Sequence, residues 1–388
     1  MSFLSAVKQY LPPSSRSFHA MYKDVIEANR ETAAMLQKIS DRQQRIEDMQ
    51  ADLYHRIEMA DRGINGNLNQ KHKEAVAATD DAAGMLDAHV KILMWEACRR
   101  EGETLEDAKR RVFASIPKPR GEKRLFQAGC ARLLQDFDAL CEEHGIDYWI
   151  HFGTLLGAVR HGGFIPWDDD VDLGMMRADI ARLADVVEHD PRYRITTVYD
   201  KWVNCKQVRF LYADEAIPCF LDLFFYDYSE KTPDQAFRQY STLRRNLIDG
   251  MDRDESLRFW NDTCYVSSTD ERAHDIEAHF HAALTRLENS DGFTNDREKA
   301  RSIVWGTDNL TAETQGECAH AVQDIFPLVP LEFEGFSCMA PHRYFEVLTG
   351  CFGDIYDLPR DINTHYQHVS DEALDQAAEA IRALVASE

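Results

Sequence analysis

Three observations predict an α+β domain preceded by an N-terminal helical coiled coil. Apolar residues recur every seven positions between 23 and 62. Pro117, Pro119 and Gly121 interrupt the chain, and beyond them short strand-like runs alternate with helical ones. Such alternation builds a sheet with helices packed against it.

Residues 1–22, with Pro12-Pro13 and several serines, read as a leader. Val25, Thr32, Ile39, Ile46, Leu53 and Ala60 then form one row of a seven-residue seam; Ala28, Met35 and Met49 form the second, interrupted by Arg42 and Arg56. A proline-free seam of this period makes a left-handed coiled coil. The alternative is a single amphipathic helix packed on its own domain. Identical chains are the simplest source of partner helices, so a homo-oligomer, dimer or trimer, is expected. Gly63-Ile64-Asn65-Gly66 breaks the helix. Residues 63–116 follow as a helical linker region, helical to about Arg100, with Met85, Val90, Leu93 and Met94 as its apolar contacts.

The catalytic domain is expected over 117–388. Phe126, Cys130, Leu133, Phe137 and Cys141 share one face of a helix from Lys123 to Glu143, which Gly145 stops. Tyr148–Phe152 reads as a strand, followed by Gly153-Thr154 and a short helix ending near His161. Strands are expected at Val171–Met175, Val203–Leu211 and Phe220–Tyr226, with a helix over Arg177–Asp190. The stretch from Thr232 to about Leu287 is helical with breaks. A hairpin over Leu328–Met339 and helices over His342–Cys351 and Asp371–Val385 close the domain.

The chain has 388 residues, of which 44% are hydrophobic and 29% charged, so it can bury a sizeable core. Its net charge of −23 argues against duplex nucleic acid or an anionic membrane surface as the main partner. Nine cysteines without a CxxC pair argue against a disulfide framework and for a reducing compartment. The opening MSFLSAVKQY has no signal-peptide pattern, and no run reaches the roughly 18 apolar residues of a membrane span. A cytoplasmic location is expected, with substrate met in the cytosol or at the inner membrane face.

Residues 151–175, HFGTLLGAVRHGGFIPWDDDVDLGM, carry the chemistry. Asp168, Asp169, Asp170 and Asp172 crowd where a strand begins. Residues two apart on a strand share a face, so Asp170 and Asp172 project together. Paired carboxylates repel unless a cation neutralises them, and oxygen ligands suit Mg²⁺ or Mn²⁺. The alternative is a solvated acidic loop. Upstream, Gly153 and Thr154 open a helix, where backbone amides and a hydroxyl can meet phosphate. Arg160 and His161 add donors, or else form a surface ion pair and a loop histidine. Asp222, inside FLDLFFYD, is the best third carboxylate; that run holds an unpaired charge only at a cost. A metal, a base role or an Arg or Lys partner would each explain it.

The 151–175 segment resembles the signature of the LicD family, which includes bacterial phosphocholine transferases and fukutin-like ribitol-phosphate transferases. DIFPLVPLEFEGFSCMAPHRYFEVLTGCFGDIYDLP is similar to the family's C-terminal block, with Cys351-Phe352-Gly353-Asp354 replacing its commoner tyrosine before glycine. The resemblance covers roughly residues 125–365. It implies a nucleotidyltransferase-like mixed sheet with flanking helices. It also implies a glycine-hydroxyl turn at Gly153 and Thr154, metal aspartates at Asp170 and Asp172, and a third acid at Asp222. Lys206 and Arg209 become phosphate contacts. The implied reaction passes a phosphoryl-alcohol group from a CDP-linked donor to a glycan acceptor, free or lipid-linked, releasing CMP. Asp222 would then serve as general base. Two other functions fit the residues: nucleotidyl transfer to a sugar phosphate or protein, and a non-catalytic coiled-coil scaffold of polysaccharide assembly.

Weaker signals remain. Cys318, His320, Cys338, His342 and Cys351 fall close in sequence, but their spacings match no zinc pattern, and they read as core residues. His365 reads as a surface histidine that could reach the donor. Trp167 and Trp305 could stack on a base or sugar, or pack in the core or its rim.

Overall fold

The computed structural model describes residues 40–50, isolated positions between 27 and 38, and residues 67–310, 314–357 and 367–386. The chain divides into two compact units, one ending at Ile92 and the other spanning Leu93–Glu388.

In the first unit residues 40–50 are helical, and the seam residues Ile46 and Met49 are 56% and 71% exposed. The seam positions Val25, Ala28, Thr32, Ile39, Leu53, Arg56 and Ala60 lie outside the described residues, as does the Gly63–Gly66 break. Helix α1 (Asn67–Cys98) ends near the expected Arg100. Met85, Val90 and Leu93, expected as apolar contacts, stand exposed on it.

The second unit starts ahead of Pro117. Trp95 is buried, and so are Ala108 and Phe113 on α2 (Leu105–Ala114). Thr104 caps α2 by accepting from Asp107 N at 3.1 Å. Phe113 lies 6.1 Å, ring to ring, from both Trp95 and Tyr356, so the stretch before the prolines packs with the domain that follows them.

Helix α3 (Gly121–His144) buries the whole predicted stripe from Phe126 to Cys141 and ends at Gly145, which takes the left-handed φ of 61°. Next come β1 (Trp149–Ile150), α4 (Phe152–His161), β2 (Asp172–Met176), α5 (Arg177–Glu188), β3 (Tyr193–Asp200), β4 (Cys205–Tyr212) and β5 (Phe220–Ser229). The long helical stretch expected after Thr232 resolves into α6 (Pro233–Arg253), a helical turn at Phe259–Asp262, β6 (Tyr265–Ser267) and α7 (Ala273–Glu288). These elements enclose their own apolar cluster around Leu247, Trp260, Ile276 and Phe280. Three short strands follow: β7 (Phe293–Thr294), β8 (Ser302–Trp305) and β9 (Ala319–Ala321). The expected hairpin is β10 (Val329–Phe333) and β11 (Phe336–Ala340), turning at Glu334 and Gly335 with φ of 50° and 88°. Positive φ at both central residues matches the twist of a tight hairpin. Helices α8 (Tyr344–Phe352) and α9 (Asp371–Ala386) end the described chain, and α9 packs along α3.

The sheet runs β1-β2-β5-β4-β3-β6, with β7 and β8 joining β5 and β9 joining β8. It is mixed. β2 and β5 are parallel, and every other pairing among the described strands is antiparallel. Flanked on both edges, β2 is buried along its length, as a central strand requires. β5 pairs with β2 along one edge. Its other edge serves β4 through residues 220–223 and β8 through 226–229. No described helix is long and apolar enough to cross a membrane.

Candidate active site

The parallel pairing places Asp172 opposite Asp222, and the antiparallel pairing places Asp222 opposite Arg209. Three carboxylates therefore meet: one oxygen each from Asp170, Asp172 and Asp222 lies within 4.8 Å of the others. Asp170 approaches from the extended residues before β2. Burial, then the charges of Asp172 and Asp168, raise its carboxyl well above the usual carboxylate range. A divalent cation relieves that strain directly, and an all-carboxylate donor set is the hard-oxygen set that Mg²⁺ or Mn²⁺ prefers.

Each carboxylate is fixed by its neighbours. Asp172 Oδ2 accepts from Gly153 N at 3.2 Å, and Asp172 N donates to Thr154 Oγ1 at 2.8 Å. The glycine-hydroxyl turn thus braces a carboxylate. A Cβ at Gly153 would lie 2.8 Å from Asp168 Oδ2, which accounts for the glycine. Phe152 ahead of it is held at φ 38°, an uncommon conformation for a side chain of that size. Asp222 Oδ1 accepts from Arg209 Nε at 2.8 Å and Oδ2 from Gln207 Nε2 at 3.3 Å. The buried aspartate therefore has an arginine partner and also joins the carboxylate group. The Arg209 guanidinium rests 3.9 Å from the Phe220 ring centre.

Nothing local in the sequence marks His368. Its Nδ1 lies 2.9 Å from Asp169 Oδ1, its backbone N donates to Asp169 Oδ2 at 3.0 Å, and its Nε2 stands 3.5 Å from Asp170 Oδ2. Burial works to raise Asp169, but the hydrogen bond and charge of His368 outweigh it and hold the carboxyl below the usual range. His365 lies outside the described residues.

Two of the remaining predicted residues sit elsewhere. Arg160 and His161 end α4, about 10 Å along its axis from Gly153. Arg160 donates to Ile355 O at 3.2 Å and lies over Phe113 at 4.4 Å, while His161 packs on Phe113 and Trp167. Burial, then Arg160, lower the His161 pKa to about 4. Lys206 borders the carboxylate pocket, but its ammonium is taken by Glu277 at 2.6 Å. Trp305 packs on Phe152 and Phe224.

The carboxylates border a cavity of about 200 Å³. Val203, Gln207 and His368 also line a larger trough of about 880 Å³, with Trp202, Tyr265 and Arg209. Trp202 is 74% exposed, and Tyr265 half-exposed, so two aromatic faces stand in solvent beside the clustered acids. Sugars and bases stack on such faces. A tryptophan in the turn after β3 gave no periodic signal in the sequence.

Residues 145–260 match the family model described as LicD/FKTN/FKRP, nucleotidyltransferase domain. The segment runs from Gly145 to Trp260 and holds every predicted site residue. The chain is similar to the lipopolysaccharide cholinephosphotransferase LicD of Haemophilus influenzae, 38% identical over 113 residues, or 26% of this chain and 43% of that protein. It is 34% identical to the human ribitol 5-phosphate transferase FKRP over 99 residues, 24% of this chain and 20% of that protein. An uncharacterized protein of Rickettsia prowazekii is 42% identical over 77 residues, 20% of this chain and 29% of its own. The chain spans less than half the length of these relatives.

Proposed function

We propose, from the LicD-type nucleotidyltransferase domain at residues 145–260, that this chain is a metal-dependent transferase. It moves a phosphoryl-alcohol group from a CDP-linked donor to a glycan hydroxyl in surface-polysaccharide synthesis. The convergence of Asp170, Asp172 and Asp222 carries this reading. The two named relatives, a cholinephosphotransferase and a ribitol 5-phosphate transferase, support the class of group transferred.

Asp170, Asp172 and Asp222 would hold Mg²⁺ or Mn²⁺, which neutralises donor phosphate charge when bound. The chain's own residues supply positioning. Gly153 N and Thr154 Oγ1 lock Asp172, and Arg209 and Gln207 lock Asp222. The trough with Trp202 and Tyr265 receives the base or the acceptor sugar by stacking. The acceptor oxygen forms its bond to phosphorus as the bond to CMP breaks, and the hydroxyl proton passes to a base at the pocket. Asp222 fills that role where Arg209 shifts to the donor phosphates. Positioning and charge neutralisation supply most of the acceleration in such displacements.

The deciding experiment incubates the full chain with CDP-choline, CDP-glycerol or CDP-ribitol, Mg²⁺ or Mn²⁺ and a glycan acceptor. Acceptor-dependent CMP release from one donor is expected. Pyrophosphate release from a nucleoside triphosphate, with no CMP from any CDP-alcohol, would establish nucleotidyl transfer instead.

A further inference from the structure

Behind the catalytic turn, three residues from distant parts of the chain converge. His151 immediately precedes Phe152, His320 lies on β9, and Cys351 on α8. One donor atom from each lies within 4.8 Å of the others. Both histidines are buried, and each has a ring nitrogen without a hydrogen-bond partner: Nδ1 of His151 and Nε2 of His320. Buried polar atoms of native proteins are nearly always partnered, so two such atoms beside a thiol need an explanation.

We propose that His151 Nδ1, His320 Nε2 and Cys351 Sγ bind a zinc-class ion, distinct from the cation of the aspartates. Two imidazoles and a thiolate form the borderline-soft set that selects Zn²⁺, whereas the carboxylates select Mg²⁺ or Mn²⁺. The other ring nitrogen of His151 is already engaged, as a histidine ligand requires. His151 Nε2 lies 2.6 Å from Tyr226 Oη. Zinc takes the neutral imidazole, in which one ring nitrogen keeps its lone pair. Tetrahedral zinc sets its donor atoms roughly 3.3–3.8 Å apart, so the three side chains draw in by roughly 1 Å or less.

The consequence is mechanical. His151 N donates to Asp172 O at 2.9 Å, so the ion would tie the strained Phe152-Gly153 turn and β2 to the C-terminal block. Zinc binds the thiolate, so binding releases the Cys351 proton and weakens as the pH falls.

The test uses the full chain, stripped of metal and titrated with Zn²⁺ against a chromophoric chelator, with metal content read by mass spectrometry. One tight equivalent per chain is expected in the unaltered protein and in Asp170→Asn. Cys351→Ser and His320→Gln should each bind at least tenfold more weakly. Co²⁺ should give a thiolate charge-transfer absorption that Cys351→Ser abolishes. No tight equivalent, or one lost in Asp170→Asn and kept in Cys351→Ser, overturns the proposal. Should the variants misfold, Zn²⁺ must still protect Cys351 of the unaltered protein from alkylation, and labelling indifferent to Zn²⁺ is equally fatal. Metal stoichiometry is independent of turnover, so this result stands or falls apart from the transferase reading.

Discussion

Asp172 and Asp222 are register partners across the parallel pair β2 and β5, side by side at the start of their shared ladder. Two carboxylates from non-adjacent segments are thereby held close by backbone pairing alone, and Asp170 completes the group from the residues before β2. Geometry this rigid makes substitutions readable.

Asp170→Asn and Asp172→Asn should each lower turnover at least about 100-fold, the usual scale for losing one preorganised charged group. Folding should survive, because removing one of several mutually repelling charges relieves strain. Chelation should abolish activity and Mg²⁺ or Mn²⁺ restore it. Either variant turning over near-normally at saturating metal refutes the role of that residue.

His368→Ala should cost about 10–100-fold in metal affinity or turnover, the range for residues that orient metal ligands. Asp169→Asn should resemble it, since Asp169 and His368 hold each other. Metal titration by calorimetry distinguishes this from a base role, in which affinity stays constant and only turnover falls.

Gly153→Ala places a methyl group 2.8 Å from the Asp168 carboxylate and 3.6 Å from that of Asp172. Overpacking of this kind costs about 1–3 kcal/mol. Denaturant melts should show that loss, and activity should fall further than stability alone explains, because the amide that braces Asp172 must move.

Glu334, at the tip of the β10–β11 hairpin, accepts from Lys118 Nζ at 3.0 Å, Arg124 Nη2 at 2.6 Å and Phe164 N at 3.1 Å. Burial works to raise its carboxyl, but these cationic partners outweigh it and hold it below the usual range. A folded-state value below the unfolded one stabilises the protein above the ordinary glutamate range, about 4.3. That contribution is lost as pH falls through the lower folded value. Glu334→Gln should cost about 2 kcal/mol near neutrality and flatten the acid limb of the stability profile. A variant as acid-sensitive as the parent would contradict this.

The seam from Val25 to Ala60 remains our proposal for self-association, held mainly by residues 23–62. Light scattering on the full chain at micromolar concentration should report a dimer or trimer, and removal of those residues a monomer. A monomeric full chain would favour a helix packed on its own domain.

Features with local periodicity were legible in the sequence. The α3 stripe and its Gly145 stop, the carboxylates at the mouth of β2, Asp222 within an apolar strand and the closing hairpin all have short-range signatures. Other features depend on distant packing. His368 reaches Asp169 because the chain returns just before α9, which lies along α3, and nothing within YQHV announces that return. Strand β3, YRITTVYD, mixes charged and β-branched residues without clean alternation because its face is only half-buried. His320 and Cys351 matched no metal spacing because their companion His151 lies inside the catalytic motif. Arg160 and His161, adjacent in sequence to the site, are carried away by the length of α4.

Trp202 and Val203 sit in the turn between β3 and β4, and Tyr265 on the outermost strand β6, whereas Asp172 and Asp222 stand on interior strands. Under the proposed function the wall that would meet the substrate's outer portion is therefore peripheral, and the carboxylates that would serve the transfer are central. Insertions or replacements in that turn leave the β2–β5 register untouched. Such an arrangement is modular: on the proposed function, remodelling the β3–β4 turn would re-address one reaction centre to other alcohols or sugars. Specificity could diversify in this chain while the acids stayed fixed.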